Sequence, residues 1–355
     1  MGPPRRWRPR MTGLTEGTLW LLDRIGGTFV SPLARDGLLA IFVSFVIGAF
    51  AFRHYFGREG FSIRAYLRYA FPRRVYWSRT CAVDLQIMLF DRLFLPMVWF
   101  ARVLSVIAVA QMIASGLAAT TGSIAPFTGG PITYGLLALM LVLAYDLGTY
   151  LTHRLSHQVP VLWAFHRVHH SAEELNPLTL LRKHPVYSVL GVLIDCITVA
   201  PLQGLILFAF GATSELPLLT MVDYGFTLFA FMASNLRHTH IWMSWGPVLD
   251  KIFVSPALHQ IHHSRAERHF DRNFGEVLAI WDWMLGTHYQ PREREELTFG
   301  IGDEPVQPHP HLAAALIEPF AYAWRVLRKR RESAPAPQAT HPPLPETPAP
   351  ADGQA

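Results

Sequence analysis

The sequence is poor in cysteine, in lysine and in charged residues of either sign. Its 355 residues contain two cysteines, Cys81 and Cys196, which excludes a disulfide framework and a four-cysteine zinc site. Only 16% of the residues are charged, whereas 51% are hydrophobic. Because soluble domains carry more charge than this, the composition predicts a membrane protein.

Several catalytic motifs are also missing. The chain has no HExxH of zinc proteases, no GxSxG nucleophile elbow and no GxxxxGK[ST] phosphate loop. It lacks the ExxH pattern of soluble carboxylate-bridged di-iron bundles. It also has no CxxCH haem-attachment motif, no cysteine set for an iron–sulfur cluster and no dinucleotide fingerprint. A redox enzyme built on this chain would therefore take its electrons from a separate carrier.

Five apolar segments predict membrane-spanning helices. They comprise residues 37–52, 93–117, 134–151, 186–210 and 216–233. The sequence thus predicts an all-α fold, an integral membrane bundle of about four to five transmembrane helices with a cytoplasmic histidine-rich helical cap. Arg102, Asp195 and Asp223 lie inside these segments, where an unpaired charge is costly. We expect the two aspartates to pair or to face a cavity, and Arg102 to snorkel, to pair or to face the protein interior.

Loop charges predict the orientation. Residues 53–79 contain seven arginines, whereas residues 118–132 carry no charge, which places the first loop in the cytoplasm. Both histidine-rich regions then lie on the cytoplasmic side. The arginine-rich N-terminus conflicts with five spans, so two alternatives stay open: 37–52 does not fully cross, or 14–30 also inserts. Three lysines among 31 cations suggest a GC-rich bacterial genome, hence a bacterial inner membrane.

The chain divides into five predicted regions. The middle one is the catalytic domain, and the C-terminal helix, with its cationic end, is expected to lie at the membrane interface. The last region, rich in proline and alanine, is expected to be disordered. The five are an N-terminal segment 1–36, membrane helices 37–133, a catalytic domain 134–290, an interfacial helix region 291–332 and a tail 333–355.

Histidine is the residue that most needs a chemical explanation. Eleven of the 17 histidines fall between His153 and His263, and ten of these form an HxxxH, two HxxHH and an HxH group. On a helix, residues i, i+3 and i+4 share a face, so each HxxHH is expected to direct three imidazoles into one volume. A lone HxxxH pair could be two ordinary histidines, but four such groups predict a metal site. Nine or ten nitrogen ligands exceed the needs of one ion, so two metals are expected.

Imidazole ligands suit zinc, copper, iron and nickel, so the ligand type alone does not choose the metal. The motifs around the histidines are more specific. The stretches DLGTYLTHRLSH (146–157), WAFHRVHHS (163–171), RHTH (237–240), SPALHQIHHS (255–264) and WDWMLGT (281–287) occur in order. They resemble the fatty acid hydroxylase and sterol desaturase superfamily. The resemblance implies membrane di-iron oxygenases that hydroxylate, desaturate or cleave lipids with O2 and two electrons.

The resemblance also implies which residues bind metal. His240 is included in the set, although many members carry Asn at its position. The ten candidates are His153, His157, His166, His169, His170, His238, His240, His259, His262 and His263. His54, His309, His311 and His341 lie outside the motifs and are expected to be solvated.

A ligating imidazole usually donates its other N–H to a carboxylate or a carbonyl, so further candidates are polar residues near the motifs. They are Asp146, His184, Asp271, Asn273 and Asp282. Each also has a structural alternative. Asp146 could pair with an arginine, and His184 could mark a helix boundary before Pro185. Asp271 and Asn273 could form a turn, and Asp282 could cap a helix or pair at the surface.

The sequence therefore predicts a membrane-bound di-iron oxygenase that hydroxylates or desaturates a fatty acyl, sterol or related lipid. Its cofactors would be two iron ions with O2 as cosubstrate, and its partners a bilayer lipid and an external electron carrier with its reductase. The alternatives are an ether-lipid or carotenoid oxygenase of the same family, and a non-redox membrane protein that only binds metal. A lipid-sized apolar channel to the metals would favour an oxygenase.

Overall fold

The computed structural model describes residues 38–57, 62–94, 96–122, 127, 129–213, 215, 217–219, 221–222, 235–302 and 306–332. Within these residues the regular structure is helical, apart from isolated β-bridges that pair Phe253 with Leu278 and Ser264 with Phe299. The all-α prediction is confirmed. The segments 1–36 and 333–355 and most of the predicted fifth span, 216–233, lie outside the described residues.

Four helices form the N-terminal part. Ser62 caps the second of them by accepting a hydrogen bond from the Ala65 amide at 3.4 Å, and the Tyr66 hydroxyl donates to the Phe45 carbonyl at 2.5 Å. The second helix is thereby fixed against the first. The four are α1 (Leu38–Phe56), α2 (Ile63–Ala70), α3 (Arg73–Tyr76) and α4 (Arg79–Phe94).

Three long apolar helices follow, and the third packs between the other two. They are α5 (Pro96–Thr121), α6 (Pro131–Gln158) and α8 (Pro185–Ala209). Their contact surface is aliphatic, with Ala110, Leu141 and Leu207 buried in one cluster. Close approach of α6 to α8 requires glycine at 148, because a Cβ there would lie 2.8 Å from the Val199 Cα. Inside α8, Asp195 accepts a hydrogen bond from the Thr152 hydroxyl at 2.8 Å.

Two described helices, α6 and α8, are long and apolar enough to cross a membrane, and the apolar parts of α1 and α5 are shorter. Each agrees with a predicted apolar segment to within a few residues at its N-terminal end. The main difference is at the end of α6, which runs to Gln158 instead of stopping near Leu151. One helix therefore carries both an apolar segment and the HxxxH pair.

The histidine-bearing elements and the C-terminal helix pack together at the end of α6. The C-terminal helix α11 (Leu312–Glu332) lies against helix α7 (Pro160–His170). At this contact the Arg167 guanidinium is 3.5 Å from the Glu318 carboxylate and stacks over the Tyr322 ring. His309, which we expected to be solvated, is instead buried, and its Nε2 lies 3.1 Å from Glu318. These elements are α7 (Pro160–His170), a 3-10 turn (Pro177–Leu181), α9 (Pro256–His262), α10 (Ile280–Met284) and α11 (Leu312–Glu332).

Candidate metal centre

The chain reverses sharply between α6 and α7. Val159 ends one helix and begins the other in an extended conformation (φ −94°, ψ 110°), and Pro160 occupies the first position of α7. Proline fits that position because it needs no intrahelical N–H bond there, and it disfavours helical backbone in the residue before it. The reversal brings the histidines of α7 back over His153 and His157 at the end of α6.

The remaining histidines come from α9 and from the turn at 235–240. Ser255 caps α9 through the Leu258 amide, and Pro256 is its first helical residue. The buried Gln260 amide donates to the carbonyls of Thr239 (2.8 Å) and Ile241 (2.9 Å). These two bonds fix the turn against α9, so that His238 and His259 face each other with their Nε2 atoms 3.0 Å apart.

Nine histidines meet in two adjoining groups, in each of which the potential ligand atoms lie within 4.8 Å of one another. The groups are in contact, since the rings of His170 and His263 stack with centroids 4.4 Å apart. The first histidine group consists of His153, His157, His166, His170 and His262. The second histidine group consists of His169, His238, His259 and His263.

Each HxxHH motif is divided between the two groups, contrary to the expectation of one shared volume. His166 and His170 point into the first group and His169 into the second. In α9 the division is reversed, with His259 and His263 in the second group and His262 in the first. Positions i+3 and i+4 differ by about 100° around a helix. A helix lying between two sites therefore gives its i, i+4 pair to one and its i+3 residue to the other.

The first group has the properties of a metal site. All its members except His157 are buried, and several ring nitrogens have no hydrogen-bond partner: Nε2 of His157, His170 and His262, and both nitrogens of His166. Buried polar atoms are normally paired, because leaving one unpaired costs free energy. A cation coordinated by these nitrogens would satisfy them, and histidine is a common ligand of transition metals.

The second group is as closely packed. His238 Nε2 lies 3.2 Å from His169 Nε2 as well as 3.0 Å from His259 Nε2. One ring N–H cannot serve both contacts, whereas two imidazole nitrogens about 2.1 Å from one ion and at right angles lie about 3 Å apart. The spacing of these nitrogens therefore fits a metal ion.

Burial keeps these rings neutral. It holds the pKa well below the usual histidine value, and neighbouring imidazoles lower it further, for His166, His169, His170, His259, His262 and His263. A neutral imidazole has a free lone pair, which is the form that binds a metal. The rings are thus ready to coordinate a cation at neutral pH.

Backbone carbonyls of one loop orient two imidazoles of the first group. His153 Nδ1 donates to the Phe274 carbonyl (2.7 Å), and His262 Nδ1 donates to the Arg272 carbonyl (2.8 Å). The intervening Asn273 has a positive φ of 56°, a conformation that asparagine tolerates better than most residues. Its side chain bonds to the backbone of Leu258 and Tyr289. Because Nδ1 carries the donated N–H in both rings, Nε2 is the nitrogen that could bind a metal.

Asp282 holds this loop in place. Its carboxylate accepts hydrogen bonds from the amides of Phe274 and Gly275, both at 2.8 Å, and from the Thr287 hydroxyl at 2.6 Å. Thr287 in turn lies 2.9 Å from the Tyr150 hydroxyl on α6. Asp282 therefore acts on His153 through Phe274 and is a positioning residue, without itself contacting a ligand.

The other polar candidates lie further from the histidines. Asp146 accepts hydrogen bonds from the Trp281 indole (2.7 Å) and the Leu278 amide (3.1 Å), which ties α6 to α10. His184 caps α8 through the Val186 amide, and its Nε2 lies 3.1 Å from the Leu316 carbonyl. His184 thus lies at a helix boundary, which is the structural alternative that the sequence left open for it. Asp271 is exposed, with a φ of 56°.

The structure does not bring His240 into either histidine group. Its Nε2 lies 2.6 Å from the Tyr69 carbonyl, so this nitrogen is already used. The HxH spacing had suggested two ligands, but only His238 of the pair faces the other histidines. We therefore correct the candidate set by leaving His240 out.

Sequence comparison identifies the domain that carries these groups. A sequence model described as fatty acid hydroxylase matches residues 138–287. This segment of the chain is similar to the fatty acid hydroxylase family. All nine histidines of the two groups lie within this matched segment. No solved structure matches the chain.

Curated relatives are similar to about half of the chain. Ornithine lipid hydroxylase OlsE of Rhizobium tropici is 34% identical over 183 residues, which are 52% of this chain and 50% of that protein. Human alkylglycerol monooxygenase is 33% identical over 45% of this chain and 32% of its own length. A Delta(7)-sterol 5(6)-desaturase of Eremothecium gossypii is 27% identical over 46% and 40%. The chain thus spans half or less of the length of these relatives.

Replacing Asp282 with alanine is expected to weaken metal binding by the first histidine group 10- to 100-fold, about the effect of losing a residue that orients a ligand. The second group should keep its affinity, because its ring nitrogens contact one another, with His238 Nε2 3.2 Å from His169 Nε2 and 3.0 Å from His259 Nε2. A chelator titration that resolves the two ions measures both affinities. Asp250→Ala, which removes another buried carboxylate, is the control and should change neither. Equal weakening at both groups would show that Asp282 is only a folding residue.

Proposed function

We propose that the chain is an integral membrane oxygenase that uses two iron ions, O2 and two external electrons to hydroxylate or desaturate a lipid. The observation that carries this proposal is the pair of adjoining, buried histidine groups with unpartnered ring nitrogens, built in a segment similar to the fatty acid hydroxylase family. The two apolar helices α6 and α8 support a membrane location. We propose a cytoplasmic position for the histidine groups from the arginines of the first loop.

Iron, when bound, supplies the one-electron and O2 chemistry that protein side chains lack. The chain itself holds and shields the site. Aromatic rings surround the first group, with Trp163 4.9 Å and Phe274 5.2 Å from the His157 ring and Tyr187 4.6 Å from that of His166, between centroids. Excluding water in this way protects a reactive oxidant from side reactions.

The substrate class is proposed as a lipid that enters from the bilayer. Two relatives carry names that specify hydroxylation of ornithine lipid and monooxygenation of alkylglycerol, and they are 34% and 33% identical to this chain over 183 and 159 residues. Cleavage of an ether lipid is therefore a second candidate, favoured by the similarity to alkylglycerol monooxygenase. The electron carrier is proposed to be a separate protein, because the sequence has none of the common redox-cofactor motifs.

Metal analysis tests the proposed cofactor. Protein purified in detergent from cells grown on enriched iron should contain about two irons per chain, the number implied by nine imidazoles. Mössbauer spectroscopy should show both as non-haem sites. Zinc alone, independent of the iron supply, would contradict the proposal and support the metal-binding alternative.

Product analysis tests the reaction. The iron-loaded protein is incubated with O2, a reductase system and lipids that include ornithine lipids and alkylglycerols. Mass spectrometry should detect either one added oxygen atom or the loss of two hydrogens, whereas ether cleavage should release an aldehyde. Omitting the reductase should abolish turnover, and sustained turnover without it would contradict the external donor.

A further inference from the structure

An exposed apolar surface lies beside α10. Its side chains come from two segments, 248–253 and 283–285, and are 37% to 70% exposed. Contiguous exposed apolar surface of this kind marks a site of contact with a protein or a membrane. We call it the apolar lip, and its main residues are Val248, Leu249, Phe253, Trp283, Met284 and Leu285.

Hydrogen bonds join the two segments into one unit. The Ala279 amide donates to the Ile252 carbonyl and the Val254 amide donates to the Val277 carbonyl, both at 2.9 Å. The only acidic residue of the first segment, Asp250, is buried and accepts hydrogen bonds from the Ser244 hydroxyl and the Trp245 amide. Because that carboxylate points inward, the outer face of the lip is left apolar, with Lys251 as its one exposed cation.

The position of the lip along α6 gives its depth. Trp281, two residues before Trp283, donates its indole N–H to Asp146 at 2.7 Å. Asp146 lies 15 residues after the first residue of α6, Pro131. At 1.5 Å per residue this is a rise of about 22 Å, less than the hydrocarbon thickness of about 30 Å. If α6 crosses the bilayer from Pro131, the Trp281 contact lies inside the hydrocarbon.

The lip also continues a lipid-facing surface of α6. Ile132 and Leu139 lie on the same helix face as Asp146, at spacings of seven residues, and are 82% and 53% exposed. Trp281 and Leu278, which lie beside the lip in the chain, cover this face at Asp146, and the face is open at Leu139. The lip therefore lies next to exposed side chains of a spanning helix and at a similar depth. Because those side chains contact lipid, we expect the lip to contact lipid as well.

We infer that the apolar lip inserts into the cytoplasmic leaflet of the bilayer, so that the histidine domain contacts lipid through this surface. This inference rests on the membrane location proposed above. Trp283 follows Asp282, the residue that fixes the Phe274 carbonyl on His153. Insertion would therefore hold the first histidine group close to the acyl chains of that leaflet.

Fluorescence quenching in liposomes tests the inference. Cys81 and Cys196 are replaced by alanine, and a single cysteine at Met284 carries an NBD fluorophore in the full-length, metal-loaded protein. The liposomes contain phosphatidylcholine and phosphatidylglycerol, with the doxyl group on acyl carbon 5 of a fraction of the lipid. Two matched positions complete the set: Leu139 on α6, and Glu293, an exposed residue of a charged segment.

The fluorophore at 284 should be quenched by doxyl lipid as strongly as the one at 139. Aqueous iodide should quench it at least about threefold less than the one at 293, as for a side chain below the headgroups. If 284 behaves like 293 while 139 is quenched by lipid, the lip does not insert and the inference is wrong. If 139 is quenched by iodide as well, α6 does not span the bilayer, and the membrane location itself is overturned.

Discussion

His238→Gln is expected to remove the metal of the second histidine group and to reduce lipid oxidation at least 100-fold. His238 Nε2 is the nitrogen to which those of His169 and His259 converge, at 3.2 and 3.0 Å. A glutamine amide has no nitrogen lone pair of comparable basicity, so one of four ligands is lost. Iron content, measured with activity on the same preparation, should fall from about two per chain to about one.

The same substitution two residues away is the control. His240→Gln should keep both metals and most of the activity, because His240 Nε2 contacts the Tyr69 carbonyl and a glutamine amide N–H can donate to that oxygen. The two variants share their chemistry and differ only in position. Equal loss of metal in both would mean that His240 is a ligand and that the side chain is placed differently when metal is bound.

The helical spacing of residues in the sequence correctly predicted those parts of the site that a single helix forms. The i, i+4 pair His153 and His157 lies on one face of α6 and enters one group. The HxxHH motifs could not be assigned correctly in the same way, because a helix face of about 100° can serve two sites as easily as one. Which site each ring enters depends on how α6, α7 and α9 cross, and that is tertiary information.

The sequence also did not predict contacts between residues that are separated along the chain. We wrongly expected His309 to be solvated, because its neighbours in the sequence do not indicate that it contacts Glu318 on α11. The role of Asp282 depends on amides eight and seven residues earlier, which become neighbours only because the 271–275 loop folds back. The buried pairing of Asp84, by contrast, could have been predicted from the sequence. It lies in an apolar stretch of α4, between Val83 and Leu85, and a buried acid is almost always paired.

Asp84→Ala is expected to lower the stability of the folded protein by about 3–5 kcal/mol, the typical cost of removing one member of a buried ion pair. Asp84 and Arg182 are both fully buried, with Oδ1 2.9 Å from the guanidinium. Oδ2 accepts hydrogen bonds from Asn176 and Thr179, each at 2.7 Å. The alanine variant leaves the arginine charge uncompensated in the interior, and water cannot reach it.

The damage should extend to the metal centre, because Arg182 also donates to the Val168 carbonyl (2.9 Å) in the last turn of α7, beside His169. The midpoint of thermal unfolding in detergent, followed by size exclusion, should fall by several degrees or more. Asp84→Asn, which keeps an acceptor for the guanidinium but loses the charge, should lie between the wild type and the alanine variant. Arg268→Ala removes an ion pair with Glu295 whose arginine is 60% exposed, and it should leave the midpoint unchanged. If Asp84→Ala is as stable as that control, the buried pair does not hold α4 to the histidine domain.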